Sequence, residues 1–145
     1  MGRVVETVKI QNYIDIVKAE EGLIAESEVR TVKVEGVVDT GATYLCLPPK
    51  VIEDLGLRYS RSALVKTGNG IVERRTFLGA YITIKDRYEQ MSVMENDHQT
   101  PVLIGYLVLE ALDFVVDPKS QRLIPNPASD GKWMADLYYV DYRRD

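Results

Sequence analysis

Val37-Val38-Asp39-Thr40-Gly41-Ala42 places an ionisable side chain directly behind a hydrophobic strand, at a Thr-Gly turn. A carboxylate buried there is costly unless it is hydrogen-bonded. Gly41 lets the backbone approach closely and can donate its N–H to the Asp39 carboxylate. Thr40 can hydrogen-bond backbone and hold the loop. Asp-Thr-Gly alone also serves as an ordinary strand-ending turn, so its meaning depends on its surroundings.

Working outward, residues 4–10 and 29–38 are rich in β-branched residues and alternate with period two, which predicts half-buried strands. The acidic stretch 18–28, which contains Gly22, reads as a long hairpin connection between them. Downstream, residues 43–47 form a short apolar strand closed by Pro48-Pro49. Pro49 at a first helical turn, with Val51, Ile52 and Leu55 at helical spacing and Gly56 as terminator, predicts a short helix over 49–55. Residues 62–67 and 71–77 flank Gly68-Asn69-Gly70, a hairpin tip, and two more strands follow near 79–85 and 88–94. Residues 102–112 begin as a buried strand and turn at Gly105 into a second short helix. Asp117-Pro118-Lys119-Ser120 suits a type I turn between strands 114–116 and 122–124. The tail 133–142 is aromatic enough to suggest that it docks somewhere. The expected architecture is one mainly-β domain over 1–145 with two short helices.

Three features in order carry a family resemblance: Val37-Val38-Asp39-Thr40-Gly41-Ala42, the glycine-tipped hairpin at Gly68-Asn69-Gly70 about thirty residues on, and Leu103-Ile104-Gly105 running into the helical Tyr106–Leu112. Over roughly residues 4–125 the chain resembles the retroviral-type, retropepsin-like aspartic proteases of clan AA. The resemblance implies a closed β-barrel of the acid-protease type and a core over about 4–125; the tail 126–145 extends past it. It implies Asp39 as the catalytic acid, with Thr40, Gly41, Ala42, Ile104 and Gly105 supporting the active-site loop. Thr67, Gly68, Asn69, Gly70 and Ile71 become a flap over an extended peptide or protein substrate.

Such chemistry needs two carboxylates sharing one proton around one water. The chain holds a single Asp-Thr-Gly. Ser129-Asp130-Gly131 lacks the hydroxyl residue between Asp and Gly, and Asp117-Pro118 is explained by its turn. The second Asp39 must therefore come from a second copy of the chain, which makes a homodimer a condition of catalysis. On the family pattern Thr40 braces the partner's backbone, and strand 4–10 is an interface element; the aromatic composition of the tail 133–142 suggests either a place at the same interface or an edge strand packed on its own subunit. Thr43 stands where those enzymes commonly carry Asp. Ala42 offers the carboxylate no hydroxyl, so activity is expected at mildly acidic to near-neutral pH. Two other readings stand beside the protease: a dimeric peptide-binding or scaffold module of the same fold, catalytically silent, and a monomeric β-barrel adaptor with a coincidental Asp-Thr-Gly.

Composition excludes several classes. Lys plus Arg number 18 and Asp plus Glu 22, giving a net charge of −4, so no nucleic-acid partner is expected. One Cys and one His exclude a disulfide framework and leave too few soft ligands for zinc, and neither metal nor cofactor is expected. His98 among Glu95, Asn96 and Asp97 reads as a solvated loop, and Cys46 as a small buried hydrophobe. Arg74-Arg75 and Arg143-Arg144 read as solvated charge. Gly68-Asn69-Gly70-Ile71-Val72-Glu73 lacks the third glycine of a dinucleotide fingerprint and the helix that should follow. Residues 1–6 contain no apolar signal region, and no apolar run approaches ~20 residues, so no membrane partner and a cytoplasmic location are expected.

Overall fold

The alternation near the N-terminus becomes two strands, β1 (Val5–Asn12) and β2 (Thr31–Val38), in the computed structural model, which describes residues 3–138. They pair antiparallel, with Val8 opposite Val34 and Ile10 opposite Val32, so one face is apolar while Lys9 and Lys33 share the other. β3 (Leu45–Leu47) is buried along its length. Pro49 opens α2 (Pro49–Leu55), and Gly56 ends it at φ +62°, the left-handed conformation common at helix C-termini. Then come β4 (Arg58–Thr67), β5 (Gly70–Ile84), β6 (Arg87–Glu95) and β7 (Leu103–Ile104). After α3 (Tyr106–Leu112), β8 (Phe114–Asp117) and β9 (Arg122–Pro125) form a separate two-stranded sheet.

The molecule is mainly β. In the large sheet the order is β1-β2-β7-β3-β6-β5-β4, and β5 also pairs with β1, so six strands close a ring of pairings and β4 hangs from β5 as an edge. Val8, Ile10, Leu45, Leu47, Ile82, Ile84, Val93 and Ile104 are fully buried inside it. α2 adds Ile52 and Leu55 to this core, and α3 adds Val108 and Leu112. Among the described residues no helix is long and apolar enough to cross a membrane.

Several expectations need correction. A third helix, α1 (Tyr13–Glu20), begins before the stretch read as a hairpin connection, which also holds a 3-10 turn at Glu26–Glu28. Ile14, Ile16 and Val17 are β-branched and mask the helix in sequence. The strands expected at 71–77 and 79–85 are one strand, β5, whose pairing with β6 shifts register between Phe77 and Ala80. Gly79, at φ +83°, marks that bulge rather than a break. At the hairpin tip Thr67 pairs with Gly70, so the turn residues are Gly68 and Asn69, and Gly70 takes the positive φ of +115°. The described part of the tail, 126–138, holds one 3-10 turn and no strand. Within this chain Trp133 donates Nε1–H to the Ala111 carbonyl at 3.0 Å and meets Tyr88 edge-on at 5.3 Å. Tyr139, Val140 and Tyr142 lie outside the described residues.

A buried polar hub holds α1 against the sheet. The Asn12 carboxamide accepts the Asp15 N–H at 3.0 Å and donates to the Leu55 carbonyl at 2.8 Å, so one side chain caps α1 and ties down the end of α2. The Asp15 carboxylate, nearly buried, accepts Arg30 Nε–H at 2.8 Å, an Arg30 Nη2–H at 3.0 Å and the Arg30 backbone N–H at 3.0 Å. Those bonds from Arg30 outweigh the opposing effect of burial and hold the Asp15 carboxyl below its ordinary range. A lowered acid contributes stability above its unfolded pKa and loses it as pH falls through the folded value. Asp15→Asn should therefore cost about 2 kcal/mol at pH 7. The gap to the unmodified protein should shrink below about pH 4, read from urea midpoints at pH 7 and pH 3.

Candidate active site

Asp39 follows β2 directly, and its position is set by backbone. β7 runs parallel to β2, with Val37 opposite Leu103 and Val38 opposite Ile104. The Asp39 N–H donates to the Ile104 carbonyl at 3.0 Å, and the Val37 N–H to the Val102 carbonyl at 2.8 Å. On its other side β7 pairs antiparallel with β3, Leu45 opposite Ile104. The loop 39–44 must therefore arch over the end of β7. It does so in close contact: the Tyr106 N–H donates to the Ala42 carbonyl at 2.8 Å and the Leu107 N–H to the Thr43 carbonyl at 3.0 Å. These first-turn donors of α3 have no partner within the helix, and the loop supplies one.

Gly105 is the crossing point. A β-carbon there would collide with the Tyr44 carbonyl oxygen and lie 2.7 Å from that of Ala42. Both are backbone atoms, so the loop itself would have to move. Gly36, one turn of the alternation below, is packed in the same way against the Ile104 side chain, 2.9 Å from where its β-carbon would sit.

The Asp39 carboxylate is half-buried, and its Oδ1 accepts the Gly41 N–H at 2.9 Å. No other side-chain or backbone donor reaches it among the described residues. It opens onto a cleft of about 770 Å³ floored by Asp39, Gly41 and Ala42, with Leu103 and Met94 beside them and the β4–β5 hairpin as a wall. Of the five residues expected to form a flap, Thr67 lines this cleft. Gly68, Asn69, Gly70 and Ile71 lie outside its lining in the single chain, and the Ile71 side chain is 68% exposed. Thr67 secures the tip: its Oγ1 donates to the Gly70 carbonyl at 2.7 Å and accepts the Asn69 N–H at 3.2 Å. Ile104 and Gly105 sit beneath the loop. Thr40 is exposed and lines a second hollow of about 680 Å³ with Tyr106, Glu110 and Met134.

Cleft residues that sequence reasoning did not single out as contacts include Arg61, Arg74 and Met94. The alternation of β4 and β5 could have flagged the first two only with the hairpin register in hand. Cys46 is buried, as expected, yet reaches the cleft wall. Burial, and then the negative charge of Asp39, push its thiol up to about 11. Among the described residues no group of three or more His, Cys, Asp or Glu could hold a metal ion.

Among protein families, the one described as gag-polyprotein putative aspartyl protease matches residues 25–111, a span running from before β2 into the last turn of α3. No curated protein matches the chain.

Two measurements follow from this geometry. Gly105→Ala should lower unfolding stability by at least about 2 kcal/mol, seen as a lower urea midpoint, because backbone must shift to admit the methyl group. Cys46 should react with a disulfide reagent at pH 8 about 100-fold more slowly than an ordinary cysteine, since its thiolate fraction is depressed by two decades.

Proposed function

We propose that this chain, which belongs to the retropepsin-like gag-polyprotein aspartyl protease family, is a homodimeric aspartic endopeptidase acting through two Asp39 carboxylates. The observation that carries the reading is a carboxylate at the floor of a cleft, held by one backbone N–H and otherwise uncommitted. Among the described residues the other acid on that cleft is Glu95, which is gripped by Arg75 at 2.9 and 2.8 Å and is not free to serve as a partner. A second acid then has to come from a second chain.

In this reading the ring of strand pairings is the acid-protease barrel, the chain is one domain, and the two loops meet across a two-fold axis. Two carboxylates that close share one proton, and the pair titrates as a unit. The ionised Asp39 takes a proton from the bound water, whose oxygen attacks the scissile carbonyl. The protonated Asp39 donates to the carbonyl oxygen. Proton return to the leaving nitrogen then breaks the C–N bond, with no covalent enzyme intermediate. The β4–β5 hairpin closes over the extended substrate and excludes water. Its backbone near Thr67, Gly68, Asn69, Gly70 and Ile71 pairs with the substrate main chain.

Thr40, exposed beside a hollow, is the group that reaches the partner's backbone. The Val5 end of β1, 46% exposed, and the tail beyond Trp133 are the further interface elements. Ala42, lacking a hydroxyl, leaves the pair with few bonds to its charged form, which favours work at mildly acidic to near-neutral pH.

Incubation with a mixed peptide library tests the proposal. The unmodified protein should cleave, and Asp39→Asn should lose at least about 10³-fold in kcat/KM. Sedimentation should show a dimer at the same concentration. Cleavage that is absent, or equal in both proteins, would remove the protease reading. A pH–rate profile peaking only below about pH 3 would contradict the argument from Ala42.

A further inference from the structure

Apart from Asp39, the charged side chains on the cleft are Arg61, Lys66, Arg74 and Glu95. Glu95 is neutralised by the Arg75 fork. The wall is thus basic in a chain whose net charge is −4. Two of the cations lie on the inward face of the hairpin. Ala63 pairs with Arg74 and Val65 with Val72, and these four are half-buried, whereas Leu64 and Glu73 between them are exposed. Arg61, two residues before Ala63, shares that face.

Among the described residues, neither guanidinium is committed to an acid. Arg74 Nη1 donates to the Glu73 carbonyl at 3.1 Å and Arg61 Nη1 to the Ser62 carbonyl at 3.5 Å. The ion pairs among the described residues involve Arg30, Lys50, Arg75 and Lys85, and neither Arg61 nor Arg74. Asp97, the acid whose charge senses Arg74, is spent on its own turn, accepting from the Thr100 hydroxyl and N–H at 2.7 Å and from the Gln99 N–H at 3.0 Å.

Resting on the protease reading above, we propose that this cleft selects extended peptides that are apolar around the scissile bond and carry a glutamate or aspartate farther out, bound by Arg61 and Arg74. A planar guanidinium matches a carboxylate in a two-bond fork, and a cleft lined with one sign of charge concentrates ligands of the other. Ala63, Val65, Val72 and Leu103 supply the apolar stretch between the cations and the acid at the floor. Arg74 lies four positions along β5 from Gly70, about 14 Å at a strand's rise. With the hairpin tip over the paired acids, the substrate's acidic side chain falls about four residues from the bond cleaved. Two-fold symmetry repeats the basic pair at the other end, so both flanks are read.

The test separates recognition from cleavage. Asp39→Asn protein is titrated with two fluorescein-labelled peptides, identical except for Glu or Lys four residues to either side of a central apolar pair. Low-salt binding should favour the Glu peptide by at least about tenfold, the preference should fade near ~0.5 M salt, and Arg61→Glu/Arg74→Glu should reverse it. Non-specific attraction to a protein of net charge −4 would favour the Lys peptide instead. Equal affinities at low salt would overturn the proposal, as would cleavage of both peptides by the unmodified protein with equal kcat/KM. Preferential binding of the Glu peptide without any cleavage would sustain the acidic-peptide site and remove the protease reading. Should the double variant fail to fold by circular dichroism, Arg74→Ala and the salt series decide by the same criteria.

Discussion

Gly105 passes so close under the Ala42–Tyr44 backbone that no side chain fits, and the placement of Asp39 follows from that crossing. With these two backbone segments in contact, the carbonyls of Ala42 and Thr43 meet the otherwise unpaired N–H groups opening α3. β7 can then lie between β2 and β3, receiving the Asp39 N–H on one side and pairing with Leu45 and Cys46 on the other. Little in this arrangement depends on side-chain packing. Backbone hydrogen bonds and one steric exclusion fix the carboxylate, which keeps its position narrow without adding polar side chains that would compete for it.

The hairpin opposite is built differently. Its base is anchored: Phe77 is buried, meets Tyr59 edge-on at 6.0 Å, and lies under the Arg75 guanidinium at 5.4 Å. Toward the tip, Leu64 and Ile71 are largely exposed, and Thr67 contributes the turn's side-chain bonds. Among the described residues β4 pairs only with β5. A ribbon with a packed root and a solvated end belongs to the low-stability part of a fold, the part from which movable lids are drawn.

The elements legible in the sequence were those punctuated by glycine and proline or carrying strict alternation. Asp39-Thr40-Gly41, Gly105, α2 between Pro49 and Gly56, and the β4–β5 hairpin all fall in that class. α1 was hidden because Ile14, Ile16 and Val17 suit strands, and the signal that favours a helix is Asn12 bonding three residues ahead to Asp15. The inward turn of Arg61 and Arg74 depends on register shifts at Tyr59/Arg61 and Phe77/Ala80, which flip faces without leaving a compositional trace. The pairing of β1 with β5 is likewise non-local, decided by the core that Ile10 and Ile82 share. The candidate site was legible at Asp39, which reaches the cleft, and at Gly105, the crossing glycine. Its charged wall was not, because facing is a property of the folded ribbon.

The pairing of β2 with β7 has a consequence for the newly made chain. Asp39 leaves the ribosome long before Ile104, whose carbonyl receives its N–H, and before Tyr106 and Leu107, which brace the loop above it. Closing a segment that long has an entropic cost that comes before any contact repays it. While the residues between Asp39 and Leu107 are being added, the polypeptide therefore carries an aspartate with no cradle, and the cleft takes shape only when β7 and the start of α3 arrive.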